Sequence, residues 1–236
     1  MNRANSGKVL VVEPTSIVMD RLVGELLERG TRVSALPAPG RLPPYGAEVP
    51  RIDLPSYEAG DSDDSDPFGT IIFDLPRIDE RSLFADGGGD PKNLSDLADE
   101  AYRFLDLTKR MITHQVFREK GSIWTLECDD FFEYYFTIPI SPIFSSMRIS
   151  CFRSLCKEFA RFNLQFNNIV FQPGVESVPA AEYKAQLPNL KVFSLKFRLS
   201  SLERIVAAIC DQIENASASM NGSVVHLGVS PNWNNY

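Results

Sequence analysis

Short continuous apolar runs, separated by stretches with helical spacing, set the outline of this chain. Lys8-Val9-Leu10-Val11-Val12 is apolar without alternation, the pattern of a strand buried on both faces. Residues 17–29 follow with Val18, Leu22 and Leu26 on one helical face, flanked by Met19, Val23 and Leu27. Thr15 or Ser16 can cap that helix and Gly30 ends it. Residues 31–36 predict a second strand, completing a β-α-β unit and so a parallel sheet. Residues 37–50 are rich in proline and glycine, and Arg51-Ile52-Asp53-Leu54 predicts a short third strand.

The alternation continues to the end. Thr70-Ile71-Ile72-Phe73 predicts a strand, followed by Gly87-Gly88-Gly89 and a long helix from Asn93 or Ser95 to about Arg118. Residues 122–126 predict a strand, and residues 142–163 a helix with Phe144, Met147, Cys151, Leu155 and Phe159 at helical spacing. A strand at 168–171, a helix at 202–214 and a last strand at 223–227 complete the series. Strands alternating with helices throughout predict one doubly wound α/β domain over residues 1–236. Residues 57–68 hold five acids and no base, which predicts a solvated acidic loop. The alternating Asp residues there lack the spaced Glu of a calcium loop, so the solvated reading is preferred.

A net charge of -7 weighs against general affinity for nucleic acid or an anionic membrane. No apolar run approaches the ~20 residues of a membrane span, and residues 1–7 lead into the first strand without a signal-like apolar core. The expectation is a soluble cytoplasmic protein. Cys128, Cys151, Cys156 and Cys210 form no C-x-x-C pair, and most of them are expected to be buried free thiols. His114 and His226 are far apart in sequence, so no metal site is expected. His114 is expected on a helix surface or interface, His226 as a hydrogen-bonded core residue and Trp124 as packing. The terminal Trp233 and Tyr236 suggest docking, either onto another surface or back onto the subunit.

The order of elements resembles the short-chain dehydrogenase/reductase family over essentially the whole chain, best in its second half. Gly121-Ser122-Ile123-Trp124-Thr125-Leu126 looks like the strand before that family's catalytic serine. Gln172-Pro173-Gly174-Val175 is similar to the Pro-Gly turn after its sixth strand, and Asn221-Gly222-Ser223-Val224-Val225 to the opening of its last strand. The resemblance implies a Rossmann-like sheet. It also implies positions for a nicotinamide cofactor and a catalytic triad, and those positions depart from the family one by one.

The family's three turn glycines fall on Glu13, Ile17 and Met19, where side chains impede backbone approach to a pyrophosphate. Its Asn-Asn-Ala-Gly segment falls on Phe73-Asp74-Leu75-Pro76, its catalytic serine on Cys128, and its Tyr-x-x-x-Lys pair on Phe144 and Arg148. The supporting asparagine falls near Glu100, and the threonine that contacts the nicotinamide amide is replaced by Val178. Phe144 has no hydroxyl to exchange a proton, Arg148 stays protonated, and Glu127, Asp129 and Asp130 would suppress a Cys128 thiolate. No cofactor is therefore expected. The leading expectation is a non-catalytic subunit paired with a catalytically active paralogue in a hetero-oligomeric dehydrogenase. The expected interface lies on the helices near 95–118 and 142–163, with Phe144, Cys151, Phe152, Leu155 and Phe159. One alternative is nicotinamide-independent chemistry (a cyclase, dehydratase or isomerase) using Asp129, Asp130, Glu133, Tyr134 and Tyr135, against a reading of the acids as a solvated loop and the aromatics as a core cap. The other is a divergent NAD(P)-dependent reductase.

Overall fold

The apolar runs do not alternate because the sheet is covered on both faces. The structure, a computed structural model, describes residues 7–38, 49–59, 68–76, 78–80, 91–115, 121–139, 141–192, 197–216 and 220–228. Six strands, β1 (Lys8–Val12), β2 (Val33–Leu36), β3 (Phe68–Phe73), β4 (Gly121–Cys128), β5 (Leu164–Phe171) and β6 (Val224–Leu227), form one sheet in the order β2-β1-β3-β4-β5-β6. Every neighbouring pair is parallel. The connecting helices are α1 (Ile17–Glu28), α2 (Leu54–Ala59), α3 (Pro91–Gln115), α4 (Pro142–Phe159), α5 (Ala180–Leu190) and α6 (Leu202–Glu214). This is the doubly wound, Rossmann-like single domain that the pattern predicts.

Successive strand residues serve opposite layers. Val9 and Val11 of β1 pack with Ile72, Trp124 and Leu126 against α1 and α6. Leu10 and Val12 pack with Ile71, Phe73 and Ile123 against α3 and α4. Trp124 is fully buried, as expected of a packing residue. A third cluster lies beyond the carboxyl ends of β4 and β5, where Phe131, Phe132 and Phe136 meet Val178, Leu190 and Phe197. Phe132 stacks on Phe136 at 6.1 Å and lies 6.0 Å from Phe197.

Two sequence expectations change. The third strand at 51–54 reduces to a single bridge between Ala35 and Arg51, and Leu54 opens the short helix α2. Tyr57, assigned by composition to the acidic loop, is buried on that helix against Phe68, the first residue of β3. The loop's acids at 61–66 lie outside the described residues, as do Gly87-Gly88-Gly89, the His114 side chain, Trp233 and Tyr236. Helix α5, which carries Pro188 within it, has no strong sequence periodicity and was not expected. Among the described residues no helix is long and apolar enough to cross a membrane.

The turn between β1 and α1 keeps a glycine's backbone without the glycine. Glu13 has φ 52°, in the left-handed region that disfavours residues with a Cβ by roughly 1–2 kcal/mol. Gly30, at φ 79°, meets the same demand at the other end of α1 with no such strain. The Glu13 carboxylate is held by Arg103 of α3, a partly buried pair that offsets some of the cost. Glu13→Gly and Glu13→Ala both remove that pair, so their difference isolates the backbone. Urea denaturation should find the glycine variant more stable by about 1 kcal/mol, and equal stabilities would mean the turn is unstrained.

Candidate functional site

The chain leaves β1 toward β2 on one side, while β3 lies on the other, so a crevice opens at their carboxyl ends. In doubly wound sheets this switch point is where ligands bind, with anions at the N-terminus of the first helix. Ser16 caps α1, its hydroxyl accepting from the Met19 N–H at 3.0 Å. The free N–H groups ahead of the helix do not face an open crevice. Thr15 N–H and Ser16 N–H donate to Asp74 Oδ2 at 2.6 and 2.7 Å. The Ser16 hydroxyl and the Leu75 N–H donate to Asp74 Oδ1, the latter at 2.7 Å. Asp74 is 5% exposed and sits immediately after β3.

Around this carboxylate the crevice contracts to a cavity of about 20 Å³ bounded by Glu13, Asp74, Glu100, Phe104, Phe144 and Arg148. That is room for about one water. A dinucleotide's pyrophosphate does not fit these residues: its donors are taken by Asp74, and a second carboxylate, Glu13, lines the same wall. Of the charge at Glu13 and the bulk at Ile17 and Met19 expected from sequence, the charge is the obstacle, joined by Asp74. Ile17 is 56% exposed at the helix start, and Met19 is spent in the core under α1.

The family's catalytic positions meet at the start of α4, but in different roles. Phe144 is 2% exposed and packs edge-on to Phe104 at 6.0 Å. Its N–H and that of Ile143 donate to the buried Glu80 carboxylate at 2.8 and 2.9 Å, which supplies the helix cap that Ser141 does not. Arg148, also buried, pairs with Glu127 of β4 through Nε–Oε1 at 2.9 Å and donates from Nη1 to the Asp74 carbonyl at 2.8 Å. Its guanidinium lies over the Phe104 ring at 5.2 Å. Burial pushes the Glu127 carboxyl up and the Arg148 guanidinium down, and their mutual attraction opposes both. The pair joins β4 to α4.

Cys128 ends β4 beside a cavity of about 30 Å³ lined by Glu127, Asp130, Ser145, Val224 and His226. Burial of its thiol is the largest cause that pushes it up to about 12, with Asp129, Asp130 and Glu127 adding to the effect. Desolvation thus outranks the neighbouring acids invoked from sequence. Those acids are not a solvated loop. Asp129 is buried and caps a 3₁₀ turn by accepting from the Phe131 N–H at 3.0 Å, and burial and Asp129 raise the Asp130 carboxyl. His226 is half-buried on the cavity wall instead of in the core. Tyr134 is 83% exposed and takes no part in the wall, whereas Tyr135 packs on Phe131 at 5.0 Å. The Glu133 side chain lies outside the described residues. Among the described residues no group of three or more His, Cys, Asp or Glu could hold a metal ion.

The five residues expected at an interface divide. Phe144 and Phe152 belong to the chain's own core, where Phe144 meets Phe104 edge-on and Phe152 stacks on it. Cys151, Leu155 and Phe159 instead line an open groove of about 480 Å³ between α3 and α4, with Leu105, Lys109 and Glu158.

No known family profile and no curated protein sequence matches the chain. Solved structures do. An oxidoreductase of the short-chain dehydrogenase/reductase family from Burkholderia thailandensis superposes with a TM-score of 0.65 at 14% identity, over 94% of this chain and 91% of that one. A short-chain dehydrogenase from Leptospira borgpetersenii, solved with bound NAD+, superposes with a TM-score of 0.70 at 13% identity over the same shares. The chain therefore has the fold of these oxidoreductases along nearly its whole length.

The raised thiol has a pH signature. Between about 9 and about 12 the folded protein retains the Cys128 proton that the unfolded chain releases, so stability falls as pH rises through that window. Cys128→Ala should flatten the loss measured by urea denaturation between about pH 9 and about pH 11. Parallel losses in variant and wild type would show that the thiol titrates normally.

Proposed function

We propose that this chain is a catalytically degenerate, short-chain-dehydrogenase-like subunit that pairs, in the cytoplasm, with a catalytically active paralogue. The observation that carries this reading is the groove between α3 and α4. It is apolar along Leu105, Leu155 and Phe159, with Lys109 on one helix and Glu158 on the other. A paralogue built on the same fold would bring an equivalent pair of helices, and a two-fold arrangement would set Lys109 of each subunit against an acid at the Glu158 position of its partner. Around that groove the chain offers its own chemistry little. Phe144 has no proton to exchange, and Arg148 is committed to Glu127.

A second reading rests on the cavity beside Cys128, where the raised Asp130 carboxyl and His226 share a wall. Paired groups of that kind serve acid–base chemistry without nicotinamide. The space of about 30 Å³ admits a water, not a substrate, which favours the subunit reading.

Two measurements bear on the proposal. Capture of the tagged protein from its native host should retain a paralogue with an intact Tyr-x-x-x-Lys motif. Leu155→Glu should release that partner while leaving the circular dichroism unchanged. Phe152→Glu, in contrast, should unfold the chain at a cost of several kcal/mol for the buried charge. A monomer that captures no such paralogue defeats the reading.

The second concerns nucleotide. Calorimetric titration of the purified chain with oxidised and reduced NAD and NADP should give no saturable heat. A dissociation constant in the micromolar range (~1–100 µM, about -8 to -5.5 kcal/mol) for any of them would return the chain to the reductases.

A further inference from the structure

Five donors converge on one carboxylate at the start of α1. We infer that Asp74 is the resident anion of this turn, an internal replacement for a ligand phosphate that keeps the site closed to phosphate esters. The inference deepens the reading of a chain without nucleotide, and it says what holds the site shut.

The geometry is that of an anion site already filled. The N–H groups of Thr15 and Ser16, which precede a helix of 12 residues, point at one oxygen at 2.6 and 2.7 Å. The Thr15 hydroxyl reaches that same oxygen at 3.5 Å, and the Ser16 hydroxyl and the Leu75 N–H take the other. A phosphate oxygen at this place would use the same donors and the same positive end of the helix dipole. The donors are oriented by the fold and not by the ligand, because Ser16 is fixed as the cap of α1 and Leu75 follows directly from β3. Arg148 fixes the Asp74 backbone from behind through its carbonyl, so the carboxylate is held in the turn at both ends. Glu13 adds a second negative charge in the wall, turned toward Arg103. Ile17 is largely exposed and leaves the donors uncovered, so Asp74 is the group that occupies them.

Removing the side chain should therefore open a site and not merely weaken a cap. The test uses the full chain as wild type, Asp74→Ala and Asp74→Asn, with inorganic pyrophosphate as the probe and potassium chloride at matched ionic strength as control. Wild type should show no saturable change in melting temperature. Asp74→Ala should melt lower in buffer, regain part of the loss with pyrophosphate, and bind it at least about tenfold more tightly than wild type by calorimetry. Asp74→Asn, which keeps the shape and loses the charge, should fall between them.

Equal affinity in wild type and a folded Asp74→Ala, or no binding by either, overturns the inference. Where the alanine variant does not fold, the asparagine variant decides on the same criterion. Where neither folds, recovery of native circular dichroism on adding pyrophosphate supports the inference and lack of recovery defeats it. Partner capture is unaffected by any of these outcomes. Nucleotide binding by wild type would sink the subunit reading whatever the variants do.

Discussion

A parallel sheet gathers the N-termini of its helices along one edge, and every such terminus carries N–H groups that the helix cannot satisfy. In this protein that constraint is met twice by the same short segment. Asp74, just after β3, answers the start of α1, and Glu80, six positions on, answers the start of α4. Both carboxylates are buried, and each is worth placing there because the helix dipole and two N–H donors compensate its desolvation. The rest of the edge is arranged around them. Arg148 reaches the backbone of Asp74, and Glu127 balances Arg148. One run of polar contacts thus ties β3, β4, α1 and α4 together where an enzyme of this fold would hold its ligands.

The Glu127–Arg148 pair joins β4 to α4 at this edge. Both side chains are almost fully enclosed, so breaking the pair from either side would strand a charge and cost about 3–5 kcal/mol. Replacing both with apolar residues could be neutral, so the pair contributes placement more than net stability. On the same helix Phe144 and Phe152 face inward, while Leu155 and Phe159 lie along the groove.

The alternation of strands and helices and the limits of α1 are legible because burial on two faces leaves continuous apolar runs and because Ser16 and Gly30 mark the ends of α1. The resemblance to the dehydrogenase family marks Cys128, Phe144 and Arg148 as corresponding positions, and the structure brings them to one end of the sheet. What sequence could not supply was partnership at long range. Asp74 meets Thr15 and Ser16 across about sixty residues, and nothing in either segment marks the other. The same holds for Glu80 with α4, and for His226 beside Asp130. The inward turn of Phe152 was missed because a helix with apolar residues on most of its circumference has no single face to read. Buried Asp129 was taken for a surface acid because composition cannot separate a solvated acid from a capping one.

The aromatic cluster beyond β4 and β5 gives the molecule a second centre of cohesion. Phe131, Phe132 and Phe136 come from one strand's exit, and Val178, Leu190 and Phe197 from the next, and they close on each other instead of on the sheet. A patch built this way has its own cooperativity. A unit of this kind is expected to open and reclose while the six strands stay paired, which would put amide protons of the 3₁₀ turn and of α5 in a different exchange class from those of β4 and β5. Were that unit to open alone, the far end of the sheet would meet solvent without the domain unfolding.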